Sequence, residues 1–192
     1  MDADPFDAYR VLDLPGLLDI DEARVEAAWQ RLSREAHPDV AGGDTDRAAS
    51  INRARDLLAS PASRLRHWLE RHGVSVPRQS PIDGDLMTLF SEVGETLRQA
   101  DDLLAKRAAA TTHLSRALLA APEMAAQQAI QSRLARLRAE SEAVRDRFAD
   151  HERDWNERQD ARAALADLAR LGFLEKWEQQ CRDSLLRLLV PG

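Results

Sequence analysis

The sequence contains a single cysteine, Cys181, among its 192 residues. One thiol excludes an internal disulfide and cannot by itself hold a metal cluster. The five histidines are not spaced as metal ligands, and no glycine-rich phosphate-binding loop is present. We therefore expect no metal, no cofactor and no enzymatic activity.

Long apolar runs are also lacking, so no segment is expected to span a membrane. The N-terminal segment MDADPFDAYR is acidic and has no basic region followed by an apolar one, which predicts a cytoplasmic protein. The net charge is −6, and the arginines alternate with acidic residues along the sequence. This pattern argues against nucleic-acid binding, which requires clustered positive charge.

β-branched residues are scarce, and no segment alternates apolar and polar residues as a half-buried strand does. The abundant residues are Ala, Leu, Arg and Glu, which lose little conformational freedom in a helix. We therefore predict an all-α fold.

Residues 1–73 form the first predicted domain. Two long helices, within 19–36 and 46–60, are joined by a short loop and should pack antiparallel. Asp19 and Glu22 have the spacing of a capping box at the start of the first. Pro61 opens a further helix that Gly73 can terminate.

Residues 74–84 form the stretch that is rich in proline, glycine and serine, and we interpret them as a linker. Residues 85–192 then show apolar residues at helical spacing, which predicts a three-helix bundle. In the last helix two apolar stripes meet at Gly172 and are rotated by roughly 140° from each other. Either the helix bends there, or its two halves bury different faces.

The most distinctive motif is the triplet His37-Pro38-Asp39, between the two long helices of the first domain. Pro38 disfavours helix at His37, so the triplet could be only a helix stop. However, a short helix, a long helix, this triplet and a second long helix containing INRARDLL together resemble a J-domain. The extended first loop LDLPGLLD and the downstream segment LARLGFLEKWEQQ resemble HscB-type co-chaperones, which have a J-domain, a linker and a three-helix bundle.

The resemblance implies that His37, Pro38 and Asp39 dock on a DnaK-type chaperone and trigger its ATP hydrolysis. Asp39 would give its carboxylate to an arginine of the chaperone, while Arg31 and Arg34 would meet acidic chaperone surface.

For the bundle, the resemblance implies a client, the scaffold protein of iron–sulfur cluster assembly. Its predicted contacts are Leu86, Phe90 and Phe173. Leu86 and Phe90 also fit the buried stripe of their helix, and Phe173 belongs to neither stripe of the last helix.

Two alternatives stay open: a J-domain co-chaperone for an unrelated client, and a degenerate J-like helical adaptor that does not stimulate ATP hydrolysis. Ala36 stands where the family usually has an aromatic residue, and Val40 stands where it usually has a lysine.

Overall fold

The computed structural model describes residues 6–36, 45–77 and 84–190. These residues form eight helices and no strand, which confirms the all-α prediction. In chain order the helices are α1 (Ala8–Val11), α2 (Glu22–Glu35), α3 (Thr45–Ala59), α4 (Pro61–Arg71), α5 (Gly84–Ala109), α6 (His113–Arg145), α7 (Phe148–Arg158) and α8 (Arg162–Leu189).

The chain divides into two compact units. The N-terminal unit comprises Met1–Gln79 and Arg145–Leu168, and the C-terminal unit comprises Ser80–Val144 and Ala169–Gly192. The sequence placed all of 85–192 in one domain, whereas residues 145–168 contact the N-terminal unit. The domain limits 1–73, 74–84 and 85–192 stay a prediction; within the linker, residues 74–77 are not helical and 78–83 lie outside the described residues.

Residues 145–168 contact the rest of the N-terminal unit at several points, two of which show how they are held. The Leu18 N–H in the extended first loop donates to Glu152 Oε1 at 2.7 Å. The rings of Trp68 and Trp155 meet edge to face, with centroids 6.3 Å apart. No periodicity in the sequence predicts these contacts, because both join residues that are far apart in the chain.

The antiparallel hairpin of α2 and α3 is as predicted. Trp29 Nε1 donates to Asn52 at 2.9 Å, and one turn earlier in α2 the Glu26 carboxylate pairs with Arg55 at 3.3 Å. The earlier residue of α2 therefore contacts the later residue of α3, so the two helices run antiparallel. The pairing places the C-terminal end of α2 and the N-terminal end of α3 at the same end of the hairpin.

Helix α4 begins and ends where the sequence predicts, whereas the predicted start of α2 needs a correction. Pro61 is the first residue of α4, and Gly73 follows that helix with a φ of +73°, which glycine adopts without strain. The predicted capping box of Asp19 and Glu22 is wrong. Helix α2 begins at Glu22, and Asp21 caps it by accepting a hydrogen bond from the Ala23 N–H at 2.9 Å. Both aspartates are good capping residues, so spacing alone did not distinguish them.

The C-terminal unit is the predicted three-helix bundle. Its core draws on α5, α6 and the second part of α8, and consists of Leu86, Leu89, Val93, Ala100, Leu103, Ile130, Leu134, Leu137, Leu174, Trp177, Cys181 and Leu188. The three helices bury their apolar stripes against one another, which explains why each is amphipathic.

The two stripes of α8 bury different faces, the second of the two alternatives. The helix is continuous from Arg162 to Leu189. Its residues up to Leu168 belong to the N-terminal unit and those from Ala169 to the C-terminal unit. The stripe rotates because the two parts of α8 have different partners. A bend at Gly172 is not needed to explain it.

A buried histidine links α1 to α4 in the N-terminal unit. The Ala8 N–H donates to Nε2 of His67 at 3.0 Å, so this nitrogen must carry no proton. His67 is 7% exposed, and burial lowers its pKa below the usual 6.5 although Asp7 acts in the opposite direction.

We expect His67 to make the protein less stable as the pH falls. Because the pKa is lower in the folded state, the unfolded chain binds the proton first. The stabilising contribution is therefore complete above pH 6.5 and is lost as the pH falls from there toward the folded-state pKa. Urea unfolding between pH 8 and 5.5 measures this. His67→Gln should remove part of the slope, at most about 1.4 kcal/mol per pH unit. An unchanged slope would mean that His67 is not the titrating group.

Candidate functional site

The predicted chaperone-binding triplet, His37-Pro38-Asp39, lies outside the residues that the structure describes. The helix that leads into it is described. Helix α2 ends at Glu35, and Ala36 is 1% exposed, with its N–H donating to the Leu32 carbonyl at 2.9 Å. The position where the family usually has an aromatic residue is thus a core position, filled here by a methyl group.

The two predicted basic contacts, Arg31 and Arg34, are exposed on the last turns of α2. Arg31 pairs with Asp13 at 3.1 Å and with Glu35 at 3.4 Å, which neutralises much of its charge. The Arg34 Nε donates to the Gln30 carbonyl at 3.1 Å. Both guanidinium groups are therefore oriented on the surface, and Arg31 would have to exchange its intramolecular partners for those of a chaperone.

The three predicted client contacts lie in the C-terminal unit but differ in exposure. Phe90 is half exposed, at 50%, whereas Leu86 is in the core at 2%. Phe173 is partly buried against that core. Leu86 therefore offers no surface to a partner in this structure, and its predicted contact with a client stays a prediction.

Trp177 brings the two phenylalanines to one place. Its ring lies 5.6 Å from the Phe90 ring and 6.0 Å from the Phe173 ring, measured between centroids. Trp177 itself is buried, with 3% exposed. A buried indole thus supports two aromatic rings that reach the surface from α5 and α8, an arrangement that holds them at little cost in conformational entropy.

Sequence reasoning missed Met87, which is 47% exposed and lies three residues before Phe90 on α5. Residues three apart are neighbours on a helix surface. The sequence could have identified Met87, because this apolar residue does not fall on the buried stripe of α5. We call the residues Met87, Phe90 and Phe173 the client surface, after the role that the sequence analysis predicts for Phe90 and Phe173.

The thiol and the charged side chains of the bundle near this surface are buried or paired within the chain. The Cys181 thiol is fully buried, and burial raises its pKa, so it is a poor nucleophile. On the neighbouring side of α5, Glu92 accepts hydrogen bonds from Arg133 and Arg136 of α6. Those charges are paired within the bundle and fix α5 against α6.

Within residues 6–36, 45–77 and 84–190, no three His, Cys, Asp or Glu side chains are grouped so that they could hold a metal ion. In the same residues, no helix has the length and apolar character required to cross a membrane.

The sequence is similar to known co-chaperones over about half of its length. It is 28% identical over 104 residues to the Co-chaperone protein HscB of Proteus mirabilis, covering 50% of this chain and 59% of that protein. It is 27% identical over 105 residues to the human Iron-sulfur cluster co-chaperone protein HscB, covering 50% of this chain and 45% of that protein. It is also 32% identical over 99 residues to the Chaperone protein DnaJ of Tropheryma whipplei, covering 51% of this chain and 27% of that protein. No protein-family model matches the chain.

The structure resembles solved HscB proteins over nearly the whole chain. The crystal structure of human HscB aligns with a TM-score of 0.58 at 19% identity, covering 94% of this chain and 83% of that one. HscB from Vibrio cholerae aligns with a TM-score of 0.55 at 18% identity, covering 95% of this chain and 99% of that one. The resemblance to HscB-type co-chaperones is confirmed. The fold is the HscB fold, a J-domain with a helical bundle, while the sequence matches span less than two thirds of each curated relative.

Proposed function

We propose that this protein is a J-domain co-chaperone and not itself an enzyme. In this proposal residues 1–73 stimulate ATP hydrolysis by a DnaK-type chaperone through His37, Pro38 and Asp39, with Arg31 and Arg34 assisting the encounter. The observation that carries the proposal is that sequence similarity and whole-chain fold point to the same group of proteins, those named HscB.

We further propose that the C-terminal bundle binds the iron–sulfur cluster scaffold protein as its client. The human relative is an iron–sulfur cluster co-chaperone by name. The client surface supports the proposal, because Met87 and Phe90 are large apolar side chains that the fold leaves half exposed. Exposed apolar clusters of this kind mark contact sites for other proteins. The cytoplasmic location stays a prediction.

Scaffold binding tests the client assignment. We expect Phe90→Ala to weaken binding of the same organism's cluster scaffold at least tenfold, because truncating a central aromatic contact typically costs more than about 1 kcal/mol and often 2 or more. Phe173→Ala should act in the same direction. Isothermal titration calorimetry with the full chain measures both.

The control is Leu118→Ala on α6, which removes a side chain that is 70% exposed and lies outside the client surface. Circular dichroism should show that all three variants stay folded. If the wild-type protein does not bind the scaffold, the client is a different protein. The co-chaperone proposal would then depend on ATPase stimulation alone.

A further inference from the structure

The first part of helix α6 is apolar on more sides than its own bundle covers. Residues 117–126 read ALLAAPEMAA, and Glu123 is the one charged residue among them. A helix that is apolar on all sides is normally buried. All of α6 is described, and its buried residues begin only at Ile130. The fold therefore leaves open an apolar surface that suits a partner from outside the bundle.

One side of this segment packs on the bundle. Leu119 and Ala126 are partly buried against the core of the C-terminal unit. The Glu123 carboxylate points to the same side, where it lies 3.8 Å from Nε of Arg107 on α5. The inward side of the segment is thus explained by contacts within the chain.

Helix α8 ends too early to cover the first turns of α6. Arg170 of α8 pairs with Glu140 of α6, and farther along α8 the Leu188 carbonyl accepts a hydrogen bond from Gln127 at 3.4 Å. The two helices are therefore antiparallel, and α8 ends one residue after Leu188. Because residues 113–126 precede Gln127, the first turns of α6 extend past the last turn of α8.

The other side of the segment is exposed. Leu114, Leu118, Ala121 and Ala125 follow one another at steps of four, three and four residues, so they share one face of the helix. This face is turned roughly 120° around the helix from Leu119. Both leucines are 70% exposed, and both alanines are exposed as well. We call these four residues the outer face of α6.

The outer face carries no charge in a chain whose net charge is −6. Its four residues are apolar, and Ala117, Pro122 and Met124 beside them are uncharged too. Two copies of the chain repel each other over longer distances because of their net charge. An uncharged face allows them to meet without bringing like charges together, and it offers no ion pair to a charged partner.

The order of large and small side chains makes the outer face complementary to itself. In an antiparallel pair with its two-fold axis between positions 119 and 120, Leu114 lies level with Ala125 of the second copy. Leu118 then lies level with Ala121 of the second copy. Each leucine packs beside an alanine, which lets the two backbones approach closely. Such a reciprocal arrangement is what a two-fold symmetric dimer requires.

We infer that two copies of this protein associate through the outer face of α6, in an antiparallel pair. The inference does not depend on the proposed function, because none of the four residues belongs to the client surface or to the triplet. The face is about 17 Å long. A stable interface buries about 800 Å² on each partner, which a face of this length does not reach by itself. The dimer is therefore weak and forms at micromolar concentrations.

Sedimentation equilibrium of the full chain, from about 5 to 500 μM, tests the inference. We expect the average mass to rise with concentration from 21.5 kDa toward twice that value. Leu118→Ala should weaken the association at least tenfold, because each dimer loses two leucine side chains from its centre. The variant should stay folded, since the side chain is exposed and alanine favours helix.

A compensating pair of substitutions separates this pairing from general adhesion of apolar surfaces. Ala121→Leu adds apolar area but should weaken the association about fivefold or more, because the new side chain meets Leu118 of the second copy and separates the helices. Combining Leu118→Ala with Ala121→Leu exchanges the large and the small position. This double variant should associate within about threefold of the wild type.

Leu186→Ala on α8 is the matched control, because it removes a leucine that is 62% exposed and lies outside the outer face. It should leave the association unchanged. The inference is wrong if the wild type stays monomeric at the highest concentration, and the outer face would then be left to a different protein. It is also wrong if Ala121→Leu strengthens the association, or if Leu186→Ala weakens it as much as Leu118→Ala does.

Discussion

Asp39→Asn is expected to abolish the stimulation of ATP hydrolysis by a DnaK-type chaperone. The proposed contact is a charge-assisted hydrogen bond between the Asp39 carboxylate and an arginine of the chaperone, and the amide removes the charge while keeping the shape. Stimulation should fall at least tenfold, to about the basal rate, since hydrogen bonds to charged groups contribute about 1.5–3 kcal/mol. His37→Gln should have the same effect. Steady-state hydrolysis by the cognate chaperone, with the full chain added, measures it.

Asp44→Asn is the matched control, because it removes the same charge five positions after Asp39 in the sequence, outside the triplet. Asparagine is as good a helix cap as aspartate, so α3 should be unaffected. Full stimulation by Asp39→Asn would reject the proposed role of this carboxylate. Absence of stimulation by the wild type would favour the adaptor alternative. Ala36 and Val40, which replace the family's usual residues, would then be the first candidates for the cause.

Arg64→Ala is expected to reduce the free energy of unfolding by about 3–5 kcal/mol. Arg64 is 1% exposed, and burial lowers the pKa of its guanidinium. Its Nε donates to the Leu58 carbonyl and its Nη1 donates to the Ile20 carbonyl, both at 2.8 Å. Removing the side chain leaves two buried acceptors unsatisfied and a cavity beside them. Urea unfolding followed by circular dichroism measures the loss.

Arg66→Ala on the same helix provides the comparison, since Arg66 is exposed and its loss should change stability by no more than about 0.5 kcal/mol. Arg64→Lys should not restore stability, because a lysine ammonium lacks the planar fork that reaches two carbonyls at once. A loss below 1 kcal/mol for Arg64→Ala would show that water replaces the guanidinium. Arg64 would then not be the group that holds the first loop against α3 and α4.

The site was partly predictable from the sequence. Phe90 and Phe173 were identified through the family resemblance, and their common support on Trp177 came only from the structure. Leu86 and Phe90 looked equivalent because both fit one helical stripe. Leu86 is 2% exposed and Phe90 is 50% exposed, because the neighbouring helices cover only part of that stripe. The triplet, in contrast, was recognisable because its residues are consecutive.

The sequence by itself determined the helices, the antiparallel hairpin and the three-helix bundle. These depend on local signals: apolar spacing of 3.6 residues, a proline at a helix start, a glycine after a helix end and short loops. Tertiary structure alone decided that residues 145–168 join the N-terminal unit, that Arg64 is buried and that Leu118 is exposed. The physical reason is that periodicity specifies which face of a helix is apolar. Which partner covers that face, and how completely, depends on contacts between residues far apart in the chain.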